Sequence, residues 1–433
     1  MLDIRKLFKA TNPSRTLVVE NEEDRKYYID FSSVRGGRII EKLRNKIALF
    51  SPDEPTCELF TGHIGCGKST ELLRLKAELE QEGFHVVYFE SDQDLEMNDV
   101  DVGDILLAIA RRVSVSLEEI NIKLQPSYFQ GLFCEIKELL QTPVDISELA
   151  FSTGIATISA QVKASPKLRD KLRGYLEPRT NGIIDAINQE LLEPAIKRLK
   201  KQGRKGLVVI VDGLDKVSAS PKVFGRPQPE YLFVDRGAQL RGLHCHVVYT
   251  IPLALRFSND CGMLAQRFMV DPKILPMVPV RWRDGREHKE GMSLLKQMVL
   301  ARVFPDLPPE QRLEKVTEIF HDSETLTRLC SISGGHVRNL LRFLNACIQE
   351  EMSLPLSREG LEKIIRLEHN QRTLAISEDE WKLLRSVGKY KKVSSEKNYQ
   401  TLIRSLFVYE YYDQVDPWFD VNPVLIEAKE FAL

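Results

Sequence analysis

Residues Gly62-His63-Ile64-Gly65-Cys66-Gly67-Lys68-Ser69-Thr70 carry the spacing G-x-x-x-x-G-K-[ST]. Such a loop holds phosphate because glycines let the backbone curl until successive N–H groups face phosphate oxygens. The helix that follows adds partial positive charge at its N-terminus. Lys68 is then placed to reach the β- and γ-phosphates of ATP, and the Ser69 hydroxyl to ligate Mg²⁺. A second anchor is Gly206 to Asp215, in which Leu207-Val208-Val209-Ile210-Val211 runs into Asp212. A carboxylate at the C-terminal end of a buried parallel strand faces a bound nucleotide, so Asp212 is the expected partner of Ser69 at the metal. Asp215, one short turn later, is expected to orient and polarise an attacking water. Thr250 ends the apolar run His244 to Pro252 and is expected to bond the γ-phosphate or that water. Arg338 opens a helix after Gly334-Gly335-His336-Val337. A cation there opposes the helix dipole and calls for an anion, which a γ-phosphate would supply.

The elements that must position these groups follow from hydrophobic spacing. Glu58 to Thr61 reads as a strand into the loop, and Thr70 to Glu82 as the helix out of it, with Leu72, Leu75 and Leu79 on one face. Phe84 to Ser91, Gly206 to Asp212, His244 to Pro252 and Lys273 to Val280 read as further strands, the last an edge because of its prolines. Residues 124–202 read as a mainly helical insertion, with Leu149 to Ile158 as a small hairpin. Its basic stretch around Lys163 to Arg173 reads as a solvated face. Upstream, Arg15 to Glu20 reads as a short strand. Tyr28, Ile29 and Val34 are positioned either to touch a nucleotide base or to pack in the core.

The 433 residues are 43% hydrophobic and 28% charged, with a formal net charge of −1. That balance argues against wholesale coating of nucleic acid or membrane. Seven scattered cysteines form no C-x-x-C pair, which points to a reduced, cytoplasmic setting without a structural metal. Met1 to Lys6 lacks an apolar signal core, and no run approaches a membrane span.

From Glu287 the pattern turns helical, with segments at 291–303, 309–321 and 323–333 ahead of the Arg338 helix. Residues 376–433 then read as two helices, 378–387 and 396–406, and a hairpin across Gln414 to Pro417. Between 382 and 404 there are seven Lys/Arg against one Glu, whereas the whole module from 376 carries net −2. The helix suits phosphates; the acidic hairpin suits a protein or intramolecular contact.

Together Gly62 to Thr70, Asp212-Gly213-Leu214-Asp215, Thr250 and Gly334 to Arg338 resemble the STAND/AAA+ class of P-loop ATPases. The acidic motif is NACHT-like, and the Gly334–Arg338 segment is similar to a sensor 2 motif in a helical lid. Lys216 stands where the class carries a further acidic residue, and Val337 where its G-x-P motif has proline. The resemblance implies an α/β fold: a P-loop NTPase parallel sheet sandwiched by helices, then an α-helical lid and a winged helix. The expected domains are a lead-in at 1–50, an ATPase core at 51–284, the lid at 285–370 and the winged helix at 371–433. It implies an ATP-Mg²⁺-dependent switch or oligomerising ATPase, as homo-oligomer or with a protein partner, in a setting such as bacterial signalling or defence. The alternatives are a DNA-associated AAA+ ATPase whose winged helix binds duplex, and an ATP-binding scaffold with little turnover.

Overall fold

Leu207-Val208-Val209-Ile210-Val211 has no polar side chain to offer water. In the computed structural model all of β3 (Leu207–Asp212) is buried. Residues 3–124, 126–140, 151–222, 225–394, 397–414 and 416–432 are described. With β1 (Cys57–Gly62), β2 (His85–Glu90), β4 (His246–Thr250) and β5 (Lys273–Leu275) it forms a five-stranded sheet of order β2-β3-β4-β1-β5. The pairs β2/β3, β3/β4 and β4/β1 are parallel, with Val87, Val209, Val247 and Cys57 in one row across them. Sheets of this kind need cover on both faces, which is why these strands read as unbroken apolar runs. After β1 the chain passes through the glycine loop into α1 (Lys68–Gln81), whose Leu72, Leu75 and Leu79 are fully buried.

The chain divides into two compact units, Ile40–Thr61 with Leu75–Lys273, and Met1–Ile39 with Gly62–Arg74 and Ile274–Leu433. In the first, α2 (Val102–Glu119) starts at a capping box in which Asp101 and Asp104 each bond the other's end of the turn. Burial pushes the Asp104 carboxyl up to about 6. Then come α3 (Ser127–Leu140), α4 (Phe151–Ala164), α5 (Pro166–Leu176) and α6 (Glu193–Lys201). The hairpin expected over 149–158 is not there: its first two residues lie outside the described ones, and 151–158 are helical. Phe151, Ile155 and Ile158 are spaced for one helical face, and all three are buried. Gly154 lets the Phe133 ring approach, since a Cβ there would lie 2.7 Å from a ring carbon. Phe129 and Phe151 meet edge to face at 4.9 Å between centroids. These helices share one continuous core with the sheet.

The second unit has a core of its own. It is built by α7 (Lys289–Ala301), α8 (Ser323–Ile332), α9 (Val337–Glu351) and α10 (Arg358–Thr373). Two more helices follow, α11 (Glu378–Tyr390) behind a Ser377–Glu380 capping box and α12 (Lys397–Arg404). The antiparallel pair β6 (Val408–Asp413) and β7 (Asp416–Val421) follows, with Tyr411 stacked on Trp418 at 4.6 Å, ahead of two short helices at Pro423–Ile426 and Lys429–Ala432. Two expectations change here. Lys273 to Val280 is a strand only to Leu275, because Pro276 and Pro279 bring no N–H; the Met277 N–H goes to the Glu410 carbonyl. Arg15 to Glu20 forms no strand either, since the Val18 N–H bonds the buried Asp24 carboxylate, 2.9 Å away. Among the described residues no helix is long and apolar enough to cross a membrane. All seven cysteines are free thiols.

Candidate functional site

The glycine loop belongs to the second unit. Lys68 is buried, and its ammonium donates to the carbonyls of Gly62 at 2.8 Å and His63 at 2.9 Å, closing the loop on itself. Gly65 adopts φ +85, which turns the loop inward at low steric cost only for glycine. A Cβ at that position would lie 2.6 Å from the His336 ring and 3.0 Å from the Arg338 Cβ.

The turn before α9 therefore sits on the loop. The Arg338 N–H donates to the Gly65 carbonyl at 3.1 Å, and the His336 Nε2 lies 2.8 Å from the Ile64 carbonyl. His336 also caps α9, its Nδ1 accepting from the Asn339 N–H. Its proton must accordingly sit on Nε2. From β6, the Glu410 N–H donates to the His63 Nε2 at 2.9 Å, so His63 carries its proton on Nδ1. The Tyr409 ring lies between the two imidazoles, 5.8 Å from His63 and 5.7 Å from His336. Arg338 thus reaches the loop, with an exposed side chain. The parts played by His336, Tyr409 and Glu410 were not legible in the sequence.

Burial, with repulsion from Arg338 and Arg372 behind it, brings the His336 imidazole down to about 3. Burial likewise holds His63 well below its ordinary value, helped by His336 and Lys68. Both rings are neutral in the fold, while in the unfolded chain they take a proton near pH 6.5. Stability tied to them is complete above pH 6.5 and falls as the pH drops, for His336 down to about 3. The urea midpoint is expected to fall between pH 7 and 5.5, each histidine adding a slope of up to about 1.4 kcal/mol per pH unit. His336→Asn, which keeps a capping side chain, should flatten that slope; an unchanged slope refutes the assignment.

The N-terminal segment also reaches the loop. Arg35, which the sequence did not single out, donates from Nη2 to the Cys66 carbonyl at 2.8 Å. The Tyr28 hydroxyl donates to Glu71 at 3.1 Å and accepts from Arg74 at 2.9 Å. Val34 is buried in the core of this unit, and Ile29 packs against it.

In the first unit, the C-terminal ends of β1, β3 and β4 lie along one edge of the sheet. Phe60 is level with Thr250, and Val211 with Tyr249. Asp212 is 2% exposed; Oδ1 accepts from the Gly213 N–H at 2.7 Å and Oδ2 from the Tyr88 hydroxyl at 2.8 Å. Asp215 is buried in the short turn Leu214–Lys216. The Thr250 hydroxyl accepts from the Leu214 N–H at 3.0 Å and donates to the Val211 carbonyl at 3.3 Å. In this structure it straps the Asp212 turn to β4. Glu90, level with Asp212 on β2, is a further carboxylate at this edge that the sequence did not single out. Lys216 pairs with Asp92 at 3.0 Å, which raises its pKa against the effect of burial. His246 lies 3.0 Å from the Thr56 hydroxyl and His244 3.0 Å from Glu193, so both rings have protein partners. Among the described residues no group of three His, Cys, Asp or Glu side chains is placed to hold a metal.

The sheet, the glycine loop between β1 and α1, and the helices beyond Ile274 make up an α/β P-loop fold with a helical lid. No protein-family model and no curated protein sequence matches the chain. Among solved structures it is similar to a Walker-type ATPase of Pyrococcus abyssi, at 12% identity over 97% of this chain and 98% of that one, with a TM-score of 0.44. It is also similar to the ORC2 protein of Aeropyrum pernix in ADPNP-ADP complexes, at 14% identity over 91% of each chain and a TM-score of 0.42. A third is the Aeropyrum pernix ORC1 protein in complex with DNA, at 13% identity over 91% and 92%, with a TM-score of 0.34.

Proposed function

We propose that the chain binds ATP with Mg²⁺ and works as an ATPase switch of the STAND/AAA+ kind, assembling with copies of itself or with a protein partner. The observation that carries this reading lies within one unit. The loop that would hold the phosphates is already gripped at His63, Ile64 and Gly65 by β6 and by the turn before α9. A triphosphate taken up by that loop meets these contacts directly, so its presence or loss would change what the C-terminal helices and hairpin present.

In this reading Lys68 and Arg338 neutralise phosphate charge, and the loop amides from Gly62 to Thr70 orient the β-phosphate. Ser69 and Asp212 would hold Mg²⁺, which supplies charge neutralisation at the phosphate oxygens. A serine hydroxyl and a carboxylate suit that ion, since Mg²⁺ takes one or two protein oxygens and leaves the rest to phosphates and water. Asp215 would place the attacking water, and Thr250 would keep its turn in position. Catalysis would rest on positioning and charge rather than on covalent chemistry.

Duplex DNA is a second reading, favoured by the exposed cations Lys389, Lys392 and Arg404 of the α11–α12 module. Lys391 is taken up by Asp420 at 2.6 Å. One experiment separates the readings: steady-state phosphate release from Mg-ATP, with and without duplex over a salt series. A rate near 1 per minute or above, an order-of-magnitude threshold, that vanishes in Lys68→Ala supports the ATPase. Binding without turnover leaves only a scaffold. Salt-steep association with duplex, lost on charge reversal of Lys392 and Arg404, supports the DNA reading.

A further inference from the structure

We propose that Arg35 is a positioning residue of the phosphate loop, holding the Cys66–Gly67 peptide in the orientation an anion requires; this rests on the nucleotide reading above. A trans peptide is planar, so its C=O and N–H point to opposite sides. The Arg35 guanidinium holds the Cys66 oxygen on one side at 2.8 Å. That contact turns the Gly67 N–H to the other side, and it is such loop amides that phosphate oxygens accept from. Gly67 takes φ +105, and around the place of its missing Cβ the nearest neighbour is the Arg35 Nη1 at 3.9 Å.

Two further observations say that this cation is not there for packing. Arg35 is 3% exposed, and its Nε has no hydrogen-bond partner. Its pKa is lowered, with burial the largest cause. The Phe31 ring, 5.1 Å from the guanidinium carbon, offsets part of the cost. An apolar side chain of similar length would fill this volume without a buried charge, but it would leave the Cys66 carbonyl without its donor and the buried Glu71 carboxylate without a nearby cation. Only a cation combines a hold on the Cys66 carbonyl with a fixed positive field behind an anion-binding loop.

The test uses the full chain with Arg35→Met and Arg35→Lys, binding of MANT-ATP with Mg²⁺, competition by inorganic pyrophosphate and by adenosine, and thermal melting. Arg35→Met is expected to melt somewhat below wild type, since Glu71 loses a nearby cation, and, where folded, to bind MANT-ATP about tenfold more weakly. Pyrophosphate competition should weaken by the same factor and adenosine competition should not change. Arg35→Lys, which keeps a charge but loses the fork, should fall about threefold short of wild type. If Arg35→Met does not fold, Arg35→Lys decides alone, by whether pyrophosphate weakens and adenosine does not. Wild-type-like pyrophosphate competition in both variants, or equal loss for pyrophosphate and adenosine, overturns the proposal. A wild-type chain that takes up no MANT-ATP overturns the nucleotide reading with it, whereas normal uptake beside unaffected variants overturns only the role of Arg35.

Discussion

Gly335→Ala is expected to cost about 3 kcal/mol or more of folding stability, at the upper end for single substitutions. An alanine Cβ at 335 would lie 1.7 Å from the Val278 carbonyl oxygen and 2.7 Å from its carbon. The obstacle is backbone, so no rotamer change relieves it, and either the 276–280 segment or the start of α9 must move. The φ of +73 adds strain of about 1–2 kcal/mol for any residue with a Cβ. Gly203→Ala separates the two contributions, since it has φ +82 with nothing within 4 Å of the added carbon. That variant should lose only the conformational part. Urea unfolding of both checks the argument, and equal losses would sink it. Gly335 precedes the cap His336, so a displaced α9 should also release the Ile64 and Gly65 carbonyls and weaken nucleotide uptake.

Asp212→Asn should leave the fold nearly unchanged while lowering ATP turnover by roughly 10² to 10³, the usual cost of losing one preorganised charge-stabilising group. The amide has the shape of the carboxylate, and its oxygen can still accept the Gly213 N–H now taken by Oδ1. The Tyr88 hydroxyl, which donates to Oδ2, can rotate to accept instead. What disappears is the negative charge at the end of β3. Phosphate release at saturating Mg-ATP, alongside MANT-ATP binding and a thermal melt, gives the answer. Turnover within a factor of two of wild type would remove Asp212 from the chemistry.

How much was legible in advance varied with the range of the forces involved. The loop, α1 and β3 are local: glycine spacing, a 3.6-residue apolar period and an unbroken apolar run each specify their element without help from elsewhere. The supposed hairpin at 149–158 failed because alternating small residues look strand-like. The aromatic face supplied by Phe129 and Phe133, some twenty residues away in sequence, made it a helix. Lys273 to Val280 failed at Pro276, where the missing N–H outweighed the apolar pattern. Thr250 has the expected place at the end of β4, where its hydroxyl accepts from Leu214 and donates to Val211, a pairing that depends on sheet register.

By itself the sequence determined that this chain has a phosphate-shaped loop leading into a helix and an acidic residue ending a buried strand, because both rest on backbone geometry and burial within a dozen residues. Only the tertiary structure decided what grips that loop: Arg35 at Cys66, His336 and Arg338 at Ile64 and Gly65, and the Glu410 amide at His63. Those partners come from up to 347 residues away. Donors and acceptors so distant carry no periodic signal, and only the packing of the N-terminal segment, the turn before α9 and β6 within one unit brings them within hydrogen-bond reach.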